Sequence, residues 1–220
     1  MRKVYIEGER DGSYHDMWRR WGYTPTKILD DADVVQFTGG EDVDPALYDE
    51  VAHSTTYFSR TRDEWCIDIY QWCLAKGIPM AGICRGGQFL NVMNKGKMFQ
   101  DCDGHGLWGT HEATILESGL KVQVTSTHHQ IMRPNYDKGI VLMEAEPLGT
   151  YKEYMAYNEG GVQPDGWAVY DGHGETDVEA IYYPDTMSLC YQPHPEYCEE
   201  KSGCVSAYKS FLRNYLELDV

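Results

Sequence analysis

The chain has 220 residues, a formal net charge of −16 and 42% hydrophobic residues. This length and apolar content exclude a disordered chain, and we expect residues 1–220 to form a single domain. No apolar run approaches the roughly 18 residues that span a bilayer, and an acidic surface repels phosphate backbones. We therefore expect neither a membrane nor a nucleic-acid partner. Residues 1–12 lack an apolar signal core, so we expect a cytoplasmic protein.

Cysteine and histidine usage limits the class further. The seven cysteines are odd in number and include no C-x-x-C motif, which argues against a disulfide framework and against a zinc ribbon. None of the eight histidines forms an H-E-x-x-H or a Cys/His finger motif. We therefore expect reduced cysteines, no metal and no cofactor.

The first half of the chain predicts alternating strands and helices. Residues 3–8 and 33–40 are typical of strands, with a short helix between them. The clearest helix begins near Thr61, which has capping-box spacing with Glu64, and it stops at Gly77. Its predicted apolar stripe has helical spacing and consists of Trp65, Ile69, Trp72 and Cys73.

A short buried strand follows at residues 78–83, and residues 86–94 are typical of a helix. The order helix, strand, turn, helix predicts an α/β fold with parallel strands and crossover helices. The second half is richer in strands and ends in a helix. The predicted buried stripe of that helix consists of Val205, Tyr208, Phe211, Leu212 and Tyr215.

The turn between the buried strand and the next helix reads G-I-C-R-G. This is the nucleophile-elbow pattern with cysteine in place of serine. Gly82 and Gly86 allow strand and helix to pack closely, so that Cys84 lies at the helix N-terminus, where the helix dipole favours a thiolate. A glycine turn beside a buried structural cysteine would give the same pattern, so this motif alone does not decide the function.

Two further segments could complete a reactive centre. In YQPHPEY, His194 and Glu196 project to one side of an extended backbone, so the carboxylate could orient the imidazole as a general base. In TGGEDVDP, Gly39 or Gly40 could supply one oxyanion N–H and Arg85 the other, each donor worth about 3 kcal/mol. A surface turn with a solvated histidine and an ordinary glycine turn are the structural alternatives.

In this chain order the three segments resemble the class I glutamine amidotransferase-like superfamily. Within it they most resemble the γ-glutamyl hydrolase branch, which includes γ-glutamyl-γ-aminobutyrate hydrolase. The matching pieces run from about residue 33 to residue 198 and are FTGGEDVDPALY, TRDEW, KGIPMAGICRGGQFLNV, QDCDG, STHHQ, VEAI and YQPHPE. The resemblance implies a flavodoxin-like, three-layer α/β sandwich with a central, mostly parallel sheet.

The resemblance also implies roles for individual residues. Cys84, His194 and Glu196 would form a catalytic triad that passes through a γ-glutamyl thioester, and Gly40 and Arg85 would form the oxyanion hole. The substrate-binding residues that it implies are Gly39, Gln88, His129 and Gln130. The adjacent His128 is open to a structural interpretation.

The chain departs from the family at three places. The region before Asp33 is short, which leaves leaving-group specificity open, and Pro193 stands where the family usually has a bulky aromatic residue. Arg62 and Asp63 match a family helix start, but we interpret them as a helix N-terminal charge pair and not as site residues.

From these residues we expect a hydrolase of γ-glutamyl amide bonds, acting on glutamine or on γ-glutamyl amines and peptides and releasing glutamate. The chain has no P-loop, so the main alternative is a glutaminase subunit that delivers ammonia to a separate synthetase or ligase chain. A catalytically silent binding module is a further alternative, and a homodimer is left open. An α/β-hydrolase is disfavoured because its acid precedes its histidine, whereas Glu196 follows His194.

Overall fold

A computed structural model of the chain describes residues 2–8, 11–102, 105, 109–146, 154–157, 167–170 and 176–220. The end of the QDCDG segment, residues 103–104, therefore lies outside the described part. The described α-helices are α1 (Ser13–Arg20), α2 (Arg60–Lys76), α3 (Arg85–Met93) and α4 (Gly203–Leu216), and short 3₁₀ helices lie at Leu29–Asp31, Pro45–Tyr48, Pro184–Thr186 and Pro195–Tyr197. The described strands are β1 (Lys3–Glu7), β2 (Thr24–Thr26), β3 (Val34–Phe37), β4 (Met80–Ile83), β5 (Lys97–Phe99), β6 (Asp101–Cys102), β7 (Gly109–Ile115), β8 (Leu120–Ser126), β9 (Ile131–Arg133), β10 (Ile140–Ala145), β11 (Tyr154–Tyr157), β12 (Trp167–Tyr170), β13 (Asp177–Tyr183) and β14 (Ser188–Tyr191).

The described residues form a nine-stranded central sheet in the order β2-β1-β3-β4-β14-β13-β10-β7-β8. Strands from β2 to β14 in this order pair in parallel, and those from β14 to β8 pair antiparallel. The parallel pairs need long crossovers, which α2 supplies between β3 and β4. Smaller sheets pair β12-β11-β6 and β5-β9. The predicted α/β class and the strand-rich second half are confirmed.

Helices cover both faces of the central sheet. One hydrophobic core contains buried residues of α1 and α4, such as Trp18 and Tyr208. The other contains residues of α2 and α3, such as Ile69 and Phe89. These layers place the loops that follow β3, β4 and β14 at one end of neighbouring parallel strands, where α/β folds usually carry their sites. Within the described part of the chain, every helix is too short or too polar to span a bilayer.

The structure corrects two sequence predictions for α2 and confirms most of the one for α4. The predicted capping box of α2 is wrong, because the N-cap is Ser59 and its side chain makes no capping bond. The predicted stripe is also displaced, since Trp65 is 53% exposed. The buried face of α2 consists of Asp63, Cys66, Ile69, Tyr70 and Cys73. In α4 the predicted stripe is confirmed for Val205, Tyr208, Phe211 and Leu212.

Candidate active site

The turn between β4 and α3 has the backbone shape of a nucleophile elbow. Cys84 has φ 51° and ψ −117°, a conformation that costs a non-glycine residue on the order of 1–3 kcal/mol. A Cβ at Gly82 would overlap the backbone of Gly86, and a Cβ at Gly86 would overlap the backbone of Phe37. The two glycines are therefore required for strand β3, strand β4 and helix α3 to approach one another, and Cys84 is held in a strained position at the helix N-terminus.

Three segments that are distant in sequence meet at this cysteine. A Cβ built on Gly39 would lie 3.0 Å from His194 Cε1 and 3.6 Å from Cys84 Cβ, so the glycine leaves room for both side chains. Cys84 itself is 8% exposed. The structure thus brings together the Gly-Gly turn, the cysteine elbow and the His-x-Glu segment.

His194 is oriented by two contacts. Its Nδ1 donates to Glu196 Oε1 at 2.6 Å, and its backbone N–H donates to Thr125 Oγ1 at 2.7 Å. Burial lowers the pKa of His194, but the Cys84 thiolate and the Glu196 carboxylate outweigh it and raise the pKa to about 11. At neutral pH the arrangement therefore favours the imidazolium form of His194.

The Gly-Gly turn offers Gly40, and not Gly39, as an N–H donor. The Gly39 N–H donates to the Tyr14 hydroxyl at 2.9 Å and is occupied. Within the described part of the chain, the amide N–H groups of Gly40 and Arg85 have no backbone or side-chain acceptor. Gly40 has φ 139°, a conformation available to glycine. The geometry is thus suited to an oxyanion held by Gly40 and Arg85.

Arg62 fixes the shape of this turn, which the sequence interpretation missed. Its guanidinium binds both carboxylate oxygens of Glu7 at 3.1 Å and donates to the carbonyl oxygens of Thr38 at 3.2 Å and Gly39 at 3.1 Å. It also donates to Glu41 Oε2 at 3.1 Å. The interpretation as a helix N-terminal charge pair is therefore wrong, because Arg62 bonds to β1 and to the Gly-Gly turn. The family match of TRDEW was the available signal.

Asp63, which the sequence interpretation paired with Arg62, holds the elbow through the Arg85 side chain. Its carboxylate forms a buried salt bridge with the Arg85 side chain and accepts a hydrogen bond from the Asp44 backbone N–H at 3.0 Å. Arg85 also contacts Cys66 Sγ at 3.1 Å. The Arg85 side chain therefore points into the core against α2, and only its backbone N–H is suited to the reactive centre.

Tyr14 is a second residue that sequence reasoning missed. It is buried in α1, accepts the Gly39 N–H, and lies 3.3 Å from the position of a Gly39 Cβ. Burial and the nearby Glu196 raise the pKa of Tyr14 well above its usual value, so the phenol stays protonated. No motif signals this role, because α1 lies in the amino-terminal region that departs from the family.

The predicted substrate-binding side chains lie in two environments. Gln88 is buried and donates to Gln130 O at 3.3 Å and to Gln192 Oε1 at 3.2 Å. Gln130 is also buried, and its amide donates to Thr56 Oγ1 at 3.2 Å. These donors are bonded to protein acceptors. His129 differs, because its side chain is 38% exposed.

Two carboxylates hold His129. Its Nε2 lies 3.2 Å from Asp42 Oδ1 and its Nδ1 lies 3.3 Å from Asp101 Oδ1. The hydrogen bond to Asp42 is the main cause that raises the pKa of His129. The neighbouring His128 is fully buried, and burial together with His105 lowers its pKa well below the usual value, so it is neutral. His128 thus fits the structural interpretation.

A cavity of about 170 Å³ lies beside the reactive centre. The residues that line it are Gly8, Asp11, Tyr14, Thr38, Gly39, Gly40, His194 and Tyr197. The cavity therefore includes the Gly-Gly turn and the histidine, but Gln88, His129 and Gln130 do not line it. A larger cavity of about 730 Å³ lies beyond the end of α3, near Lys95 and Arg133, and contains none of the predicted site residues.

Residues 23–141 match the Peptidase C26 family. A protein of Mycobacterium tuberculosis provisionally named a glutamine amidotransferase is 31% identical over 176 residues, which cover 77% of this chain and 52% of the relative. The provisionally named glutamine amidotransferase-like protein YvdE of Lactococcus lactis is 38% identical over 167 residues, 74% of this chain and 66% of the relative. The chain spans about half the length of the first curated relatives it matches.

Solved structures show the same fold. PurLQS from Thermotoga maritima superposes with a TM-score of 0.61 at 19% identity and covers 98% of both chains. A glutamine amidotransferase from the same organism superposes with a TM-score of 0.59 at 13% identity, covering 99% of this chain and 83% of the other. Because the match to the family covers residues 23–141, more than half of the chain, the chain belongs to the Peptidase C26 family, a glutamine amidotransferase-like family of hydrolases.

Proposed function

We propose that the protein is a cysteine-dependent hydrolase of γ-glutamyl amide bonds that releases glutamate. The observation that carries the proposal is the meeting of Cys84, the His194–Glu196 pair and the unoccupied N–H groups of Gly40 and Arg85. A nucleophile, an oriented acid–base group and two oxyanion donors are the parts that acyl transfer requires.

In the proposed first step, the Cys84 thiolate attacks the γ-carbonyl carbon, and the electron pair of the C=O bond moves to oxygen. The Gly40 and Arg85 N–H groups stabilise that oxyanion. His194 donates its proton to the leaving amine as the C–N bond breaks, leaving a γ-glutamyl thioester. Its raised pKa of about 11 ensures that the proton is present at neutral pH.

In the second step, His194 accepts a proton from water, and the resulting hydroxide equivalent attacks the thioester. The tetrahedral intermediate collapses, glutamate leaves, and the thiolate and imidazolium are regenerated. Glu196 acts throughout by holding Nδ1 of the ring, which directs the other nitrogen toward the chemistry.

Among the proposed substrate residues, Gly39 forms the wall between nucleophile and histidine. Gln88 and Gln130 would shape the glutamyl pocket as a bonded pair beneath the elbow, and a substrate would have to displace one of their present hydrogen bonds to bind either amide. His129 would meet substrate at the surface. This division follows from the burial of the two glutamines.

A second candidate is a glutaminase subunit that passes ammonia to a separate synthetase or ligase chain. The fold similarity to the glutaminase domain of Trypanosoma brucei CTPS with bound acivicin supports it, with a TM-score of 0.58 at 12% identity. The two candidates share the chemistry at Cys84 and differ in the leaving group and in dependence on a partner.

One substrate panel tests both candidates. The purified protein is incubated with glutamine, γ-glutamyl amines, γ-glutamyl peptides and polyglutamates, and glutamate release is measured beside the Cys84→Ala variant. We expect release by the protein alone and none by the variant. Release from glutamine that requires an added synthetase or ligase chain would favour the second candidate, and no release from any substrate would refute the hydrolase proposal.

A further inference from the structure

Three side chains of metal-ligating type meet inside the antiparallel half of the sheet. They are His105, which follows β6, His111 of β7 and Glu179 of β13, and all three are buried. One ligand atom from each lies within 4.8 Å of the other two. Their spacing in sequence matches no metal motif, which is why the sequence favoured no metal.

Two carboxylates orient these histidines. His111 Nε2 lies 2.8 Å from Glu179 Oε1, and His105 Nε2 lies 2.8 Å from Asp177 Oδ2. His105 Nδ1 lies 3.1 Å from Ser126 Oγ. His105 matches the usual arrangement of a metal-binding histidine, in which a carboxylate outside the ligand set, here Asp177, holds one ring nitrogen. His111 differs, because the carboxylate that it contacts belongs to Glu179, itself one of the three ligand-type side chains.

The cluster also contains buried polar atoms without a partner. His111 Nδ1 and Glu179 Oε2 have no hydrogen-bond partner among the described residues, and the same holds for Nε2 of the neighbouring His128. Within the described ranges, Glu179 forms no ion pair with a lysine or arginine. Since a buried carboxylate is costly without a compensating charge, the cluster is suited to a cation.

We propose that His105, His111 and Glu179 bind one divalent metal ion of the zinc type. Two imidazoles and one carboxylate are a common set of protein ligands for a zinc ion that keeps its fourth position open, with zinc–nitrogen bonds of about 2.0–2.1 Å. His111 Nε2 and Glu179 Oε1, now 2.8 Å apart, would separate slightly to admit the ion. The ion would replace the hydrogen bond between His111 and Glu179 and supply the positive charge that Glu179 lacks.

The position of the cluster indicates a structural role. The backbone carbonyl of Glu179 accepts the Gln192 N–H at 2.8 Å, two residues before His194. Thr125 Oγ1, which accepts the His194 N–H, is adjacent to Ser126 in the same strand. A metal ion would therefore tie together the strands that support His194. The proposal does not depend on which reaction Cys84 catalyses.

The first test measures metal content. Protein without an affinity tag is prepared from zinc-supplemented cells and analysed by inductively coupled plasma mass spectrometry. We expect about one zinc ion per chain in the wild type and in a His15→Gln control, and close to none in His111→Gln and Glu179→Gln. Equal metal content in all four proteins would overturn the assignment.

A second test uses the wild type alone, in case the variants do not fold. After chelator treatment, Co²⁺ is added and should give the visible absorption bands of a tetrahedral nitrogen–oxygen site. Zinc added at about 100 times its dissociation constant should raise the melting temperature by roughly 5–10 °C. A wild type that lacks metal, gives no cobalt bands and does not change in melting temperature would refute the proposal.

Discussion

Replacing Arg62 by methionine should destabilise the protein and displace the Gly-Gly turn from the reactive centre. Arg62 is 14% exposed and pairs with Glu7, whose side chain is 1% exposed. Removing one partner of such a pair leaves a buried charge and costs about 3–5 kcal/mol. For a chain of this size, about 2–4 °C of melting temperature is lost per kcal/mol, so we expect a decrease of roughly 6–20 °C.

The same variant should lose activity beyond its loss of stability. The Arg62 donors hold the carbonyl oxygens of Thr38 and Gly39, directly before the proposed donor Gly40. Misplacement of one oxyanion donor costs about 10²–10³ in kcat. Arg62→Lys keeps the charge but loses the two-pronged contact with Glu7, so we expect an intermediate effect on both melting temperature and kcat.

Arg60, two residues before Arg62 in the first turn of α2, provides a matched control. Its side chain is 73% exposed and forms one bond, to Asp44 Oδ2 at 2.9 Å. Asp44 is largely buried but keeps its hydrogen bond from the Ala46 N–H at 3.0 Å when Arg60 is removed. Arg60→Met should therefore melt closer to the wild type than Arg62→Met does, and it should keep its kcat. Thermal denaturation and glutamate release are measured on the Arg60 and Arg62 variants together. If Arg62→Met behaves like Arg60→Met, the reasoning is refuted.

Three further predictions concern the same centre. Tyr14→Phe removes the acceptor of the Gly39 N–H and should lower the free energy of unfolding, measured in urea, by about 1–3 kcal/mol. Tyr197 is more exposed, so the control Tyr197→Phe should have little effect. Equal effects of the two substitutions would contradict this prediction. Gly40→Ala should be poorly stable or inactive, because the residue has φ 139° and a Cβ would overlap a guanidinium, and a variant of normal melting temperature and kcat would exclude the assigned geometry. The pKa of His194 is raised from its usual value of 6.5 to about 11. The stability that its charged form contributes is therefore complete below pH 6.5 and is lost as the pH rises through about 11. In Cys84→Ala this loss of stability should occur at lower pH. Histidine titration by NMR in both proteins measures the shift, and an unchanged titration would show that the thiolate is not its cause.

The sequence predicted the local parts of the candidate site because each part is a short motif. The elbow around Cys84 requires glycines at fixed offsets. His194 and Glu196 are two residues apart, so their hydrogen bond is local, although it forms at the 3₁₀ turn Pro195–Tyr197 and not along the predicted extended backbone. Strands such as β4 were also predictable from the local sequence, because a strand that is buried on both faces forms a continuous apolar run.

Contacts between distant segments could not be predicted in this way. The role of Arg62 depends on Glu7, which is 55 residues away, and that of Tyr14 depends on a turn 25 residues away. The histidine cluster joins His111 to a carboxylate 68 residues later. In each case the order of the strands and the packing of the helices determine the partner, and hydrophobic periodicity carries no information about either.

The most direct test of the central claim identifies the nucleophile. The protein is treated with an electrophilic glutamine analogue, the modified peptide is mapped by mass spectrometry, and glutamate release is compared with that of Cys84→Ala. We expect one label per chain, at Cys84 and at none of the other cysteines, with activity lost in proportion to labelling and reduced by at least about 10³-fold in the variant. Glutamate release that survives in Cys84→Ala, or labelling at another cysteine that abolishes activity, would contradict the account.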